Sequence, residues 1–186
     1  VVKYHVTERM RQCINDAMDV HGGKGICMGP KNYLGRGYQS VPISITVEGA
    51  NILTRSMMIF GQGAIRCHPY VLEELAARDA DDIQAFDKAF FGHAGLIFGN
   101  AARAFAQGLG LGRPAVPFDG EASRYAQEIA RLSAGFGLCA DAAMASLGST
   151  LKQREMLSAR LGDVLSNLYL ASMVIKQWHE GAEVED

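Results

Sequence analysis

Apolar side chains recur every three or four positions over residues 3–20. Val6, Met10, Cys13, Ile14, Ala17 and Met18 share one face, which predicts an amphipathic helix. The "HGGKG" that follows ends this periodicity, and Gly22 stands where a left-handed cap just past the helix end is expected. Residues 26–42 hold three glycines and two prolines and predict a loop with a short helical turn around Tyr33. The β-branched run in "ITVEGANILTR" predicts a short extended segment. After it, Ile52, Arg55, Ser56, Ile59 and Phe60 fall at helical spacing, so a second long helix is expected to run toward Cys67, weakened near its end by Gly61 and Gly63.

The second half is a series of helical patterns. "PYVLEELAARDA" predicts a short helix, with Pro69 marking its start, and "DDIQAFDKAFFGHAGLIFGNAARAFAQGLG" a long one capped by Asp81 or Asp82. "LGRPAVPFDG" cannot continue a helix and predicts a linker. Two more long helices follow, over about residues 121–147 and 150–179, separated near "LGST". The reading is all-α: a helical bundle of about six helices with at most one short extended segment. Gly92, Gly95 and Gly99, like Gly135 and Gly137, are expected on faces where helix backbones pack closely, a dimer contact through the same face being the less common alternative.

Composition narrows the classes. The 186 residues are 48% hydrophobic and 20% charged with a net charge of -2, enough for one sizeable core or two small helical units. Lys and Arg are scattered, which excludes a nucleic-acid footprint. Cys13, Cys27, Cys67 and Cys139 form no CxxC pair and read as buried thiols in a reducing compartment. His5, His21, His68, His93 and His179 never stand at metal spacing, so each reads as a cap, surface or satisfied core histidine and no metal is expected. Met57, Met58, Met156 and Met173 read as core fillers. No window of 18 uninterrupted apolar residues exists, so a spanning helix is not expected, while peripheral membrane contact stays open. The charged start, without an initiator Met and with a helix already under way, reads as a piece of something longer, and the final "EVED" as a solvated acidic tail.

Glu48 is the residue that asks for an explanation. At a strand-to-helix junction an acid is welcome for structural reasons alone, because free backbone N–H groups and the positive end of the helix dipole favour an anion. The wider pattern adds chemistry to that. "DAMDVHGGKG", a loop with an aromatic, an arginine and then "VEGANILTR" together resemble the C-terminal helical domain of the acyl-CoA dehydrogenases, over about residues 3–68. The remainder, with "GQGAIRCHPYVLEELAA" and the long helices, resembles the extra C-terminal helical region of the large bacterial acyl-CoA dehydrogenases of fatty-acid degradation. The domain organisation implied is residues 1–68 as part of the first region and 69–186 as the second, in a fragment of a larger multidomain flavoprotein.

The resemblance implies an FAD-dependent enzyme that oxidises acyl-CoA to trans-2-enoyl-CoA in fatty-acid β-oxidation. Glu48 takes the place of the base that removes the pro-R α-proton while the β-hydrogen leaves as hydride to flavin N5, and Gly49 that of the backbone passing close to the thioester. Gly22 and Gly23 match the turn whose backbone touches the FAD of a neighbouring subunit. Asp19 stands where relatives often carry an amide, a place an acid suits only if it faces ribose hydroxyls. Ala50, Asn51 and Ile52 fall at the flavin with more backbone than side-chain contacts, and residues 36–47 take no role. The partners implied are the acyl-CoA substrate, an electron-transfer flavoprotein as acceptor and further copies of the chain in a homo-oligomer, in the cytoplasm or at the inner face of the membrane. An alternative from another class stands beside this: residues 69–186 show no acid-base constellation and suit a non-catalytic helical oligomerisation or membrane- or partner-docking module.

Overall fold

The computed structural model describes residues 1–182, and the "EVED" end lies outside the described residues. Their order is α1 (Val2–His21), α2 (Gly23–Ile26), α3 (Gly35–Thr46), α4 (Asn51–Leu53), a π-helical stretch (Thr54–Gln62), α5 (Gly63–Cys67), α6 (Val71–Asp79), α7 (Ile83–Gly108), α8 (Gly120–Leu147), a 3-10 stretch (Gly148–Gln153) and α9 (Glu155–Ala182). No strand occurs among the described residues. The architecture is all-α, as expected. The chain forms two compact units, residues 1–55 and Ser56 onward.

In the first unit α1 and α3 pack together. Gly22 closes α1 at φ 53, its N–H bonding Met18 O at 2.9 Å. The predicted loop over 26–42 is corrected: half of it is α3. Asn32 starts that helix by accepting the N–H groups of Leu34 (3.0 Å) and Gly35 (2.8 Å), while its amide donates to Gly25 O at 2.7 Å. Gly37 then lets α3 approach Ile14 of α1, since a Cβ there would lie 3.0 Å from Ile14 Cδ1. Burial of Val41 outweighs Pro42, which sits inside the helix without a backbone N–H to give. The predicted extended segment is corrected for the same reason. Ile45 and Thr46 complete α3, so Glu48 lies in a helix–turn–helix and not after a strand.

In the second unit α7, α8 and α9 are the long elements. α7 packs on α6 and α8, and α8 on α9. Asp82 caps α7 by accepting the Ala85 N–H at 3.0 Å. One core gathers Phe60, Ala140 and Leu151, with Phe136 meeting Phe60 edge-on at 6.0 Å; a second gathers Ala122, Ala126 and Ile175 against Val116 and Phe118. The 3-10 stretch carries the "LGST" separation, and Leu151 within it fills the first core.

Three further expectations are corrected. The glycine stripe of α7 is not one packing face: a Cβ at Gly92 would come within 2.6 Å of the Tyr70 ring, whereas at Gly95 it would meet nothing within 4 Å. All four cysteines are free thiols, but exposed ones. Met58, Met156 and Met173 are exposed as well, because helices packed along one side leave the opposite side bare. No helix of the described residues is long and apolar enough to cross a membrane.

Candidate active site

Residues 47–50 connect α3 to α4, and the turn reverses through two consecutive left-handed residues, Glu48 at φ 54 and Gly49 at φ 89. Glycine adopts this region without penalty; a glutamate does not, and such a conformation persists only where the surroundings impose it. Here they do. Lys3 Nζ donates to Gly49 O at 3.0 Å and to Asn51 Oδ1 at 2.8 Å. Asn51, only 3% exposed, donates through Nδ2 to Thr7 Oγ1 at 2.9 Å and to Glu8 Oε1 at 2.7 Å. The first two turns of α1 therefore hold the turn from beneath, and Glu48 is left exposed on top of it.

The sequence-predicted site residues fall into two groups. Glu48 and Gly49 make the turn, and Ala50, Asn51 and Ile52 line a surface pocket of about 280 Å³ beside it, together with Arg11 and Arg55. The Asn51 side chain is engaged by Lys3, Thr7 and Glu8, so a ligand in that pocket meets its neighbours' backbone rather than its amide. Asp19 and Gly22 line a second surface pocket, of about 600 Å³, with Tyr38 at the other end of α1. From Thr7 to Asp19 is about 18 Å along the helix axis. Both Gly22 and Gly23 have open backbone, with nothing within 4 Å of an added Cβ, and Asp19 is exposed. Such an uncovered glycine turn fits the close approach of a dinucleotide's backbone-recognised part, and an exposed acid fits sugar hydroxyls.

One cluster was missed in the sequence. His68, just after α5, meets Asp141 of α8 at 3.1 Å, and His93 of α7 stands 2.8 Å from Glu74 of α6 and 3.6 Å from Asp141. Glu74 and His93 are 19 residues apart and His93 and Asp141 are 48 apart, and the set obeys no metal-ligand spacing. The only signal was that polar residues fall among apolar ones on helices predicted to pack.

The second unit is all-helical, with α7, α8 and α9 as its long elements. The family model described as acyl-CoA dehydrogenase, C-terminal, bacterial type, matches residues 65–186, and the chain belongs to that family. The Glu48 turn precedes the matched residues. No solved structure gives a significant match.

Proposed function

We propose that the chain supplies the catalytic base to an FAD-dependent acyl-CoA dehydrogenase of fatty-acid β-oxidation, and that Glu48 is that base. The observation that carries this reading is the left-handed Glu48–Gly49 turn clamped by Lys3 and Asn51. A non-glycine residue held at positive φ and presenting an exposed carboxylate is an arrangement that capping alone does not require. Membership of the acyl-CoA dehydrogenase family supports the reaction class.

An α-proton of a thioester is weakly acidic, so its removal needs a carboxylate at fixed distance and a dry surrounding that keeps it basic. The turn gives Glu48 a fixed aim, and the bound acyl chain with the rest of the enzyme supplies the covering. Glu48 takes the α-proton, with the backbone at Gly49 beside the thioester, and the product is the trans-2-enoyl-CoA. FAD, when bound, would supply the acceptor for the β-hydrogen, which leaves as hydride. Ala50, Asn51 and Ile52 would offer it backbone at one end of α1, while Asp19, Gly22 and Gly23 at the other would hold the FAD of a neighbouring subunit, in a homo-oligomer whose electrons would pass to an acceptor flavoprotein. Acyl-CoA-dependent dye reduction by the full-length protein, compared with its Glu48→Gln form, tests the assignment. Equal rates would reduce Glu48 to a turn residue.

A second reading concerns the other unit. α7 presents Phe91, Phe98 and Phe105, seven residues apart and 69%, 76% and 69% exposed, which suits a module that docks on another protein surface or on a membrane. It adds to the enzyme reading without competing for Glu48.

A further inference from the structure

We propose that the second unit carries a binding site for one divalent first-row transition cation, held by His93 and Asp141. Asp141 is 6% exposed, and His93 Nε2 and Asp141 Oδ2 are both buried without a hydrogen-bond partner. Burying an imidazole nitrogen and a carboxylate oxygen unsatisfied is unfavourable, and two such atoms on adjacent side chains mark a missing partner. His93 Nε2 and Asp141 Oδ1 lie 3.6 Å apart. That is too long for a hydrogen bond, yet it suits two donor atoms that each stand about 2.0–2.2 Å from a shared ion.

The hydrogen-bond network sets the donor set further. His93 Nδ1 lies 2.8 Å from Glu74 Oε1, which places the ring proton on Nδ1 and leaves the Nε2 lone pair free for an ion. His68, Asp141 and His93 all offer an atom within 4.8 Å of one another. His68 plays a different part from His93, however. Its Nδ1 accepts the backbone N–H of Tyr70 and of Val71, each at 3.2 Å, so its own proton sits on Nε2 and is donated to Asp141 Oδ1 at 3.1 Å. Each ligand thus has a supporting partner, Glu74 behind His93 and His68 behind Asp141, the outer-shell arrangement that orients ligands at metal centres. A mixed nitrogen and oxygen donor set favours ions of the Zn²⁺ or Mn²⁺ type over Ca²⁺ or Cu⁺. Asp141 and His68 also line a largely apolar cavity of about 310 Å³.

The test uses the full-length protein without a histidine tag, stripped with chelator and titrated with Zn²⁺, then with Co²⁺ as a spectroscopic probe. The site predicts one equivalent bound, a chelator-reversible rise in melting temperature, and Co²⁺ absorption without a thiolate charge-transfer band. Glu74→Gln should weaken binding by about 10- to 100-fold. His93→Gln and Asp141→Asn should weaken it further, and His68→Gln, which keeps a donor toward Asp141, should weaken it least. Failure of wild type to bind one equivalent overturns the proposal whatever the variants do. So does a Co²⁺–thiolate band, which would assign binding to an exposed cysteine such as Cys67, or unchanged affinity in a folded Glu74→Gln protein.

Discussion

Lys3 and Asn51, 48 residues apart, are joined by a 2.8 Å hydrogen bond from the lysine ammonium to the asparagine amide oxygen, and the same ammonium holds Gly49 O at 3.0 Å. The position of Glu48 is therefore set by the first turn of α1 as much as by its own neighbours.

Removing that support should disturb both stability and rate. Asn51→Ala leaves Lys3, Thr7 and Glu8 short of a buried partner and is expected to lower stability by about 1–3 kcal/mol. If Glu48 is the base, as proposed, it should also slow dehydrogenation, because Glu48 loses its fixed aim. Thermal melting and steady-state rates on the full-length protein check this; native values for both would mean the clamp is idle.

Gly49→Ala probes the backbone directly. A Cβ at φ 89 is strained, at a cost on the order of 1–2 kcal/mol for a left-handed residue. A melting temperature equal to wild type would show that the turn relaxes easily and is not imposed on Glu48.

Two of the glycines of α7, Gly92 and Gly95, should respond in opposite directions. Gly92→Ala drives a methyl to 2.6 Å from the Tyr70 ring, so overpacking of about 1–3 kcal/mol is expected. Gly95→Ala meets open space and should gain up to about 1 kcal/mol of helix propensity. Melting of the two variants side by side decides; a destabilised Gly95→Ala protein would place a packed surface over that position.

Asp82→Ala removes the side-chain acceptor at the start of α7 and should destabilise the second unit by about 0.5–2 kcal/mol, read as a fall in helical signal at lower temperature. No change would mean another group takes the Ala85 N–H.

What could be read from the sequence follows the range of the interactions. The long helices of the second unit, the Asp82 cap, the Gly22 stop and the linker before α8 were legible because each depends on neighbours within a few residues. α3 was not, since its glycines, Pro42 and β-branched residues all argue against a helix, and it takes packing on Ile14, burial of Val41 and the Asn32 side chain accepting the Gly35 N–H to make it one. The Glu48–Gly49 pair was singled out in the sequence, but Lys3 as its support was not, because nothing local links residue 3 to residue 49. The His68, Glu74, His93 and Asp141 cluster is assembled by α6, α7 and α8 with the turn after α5, so no spacing along the chain announces it.

Whether Glu48 takes the α-proton is read by anaerobic bleaching of the flavin by acyl-CoA in the full-length Glu48→Gln protein. Gln keeps the shape of the side chain and removes the base, so flavin content should be unchanged while the bleaching rate falls by about 10²- to 10⁴-fold or more. Bleaching at the wild-type rate would mean that Glu48 takes no part in removing the α-proton.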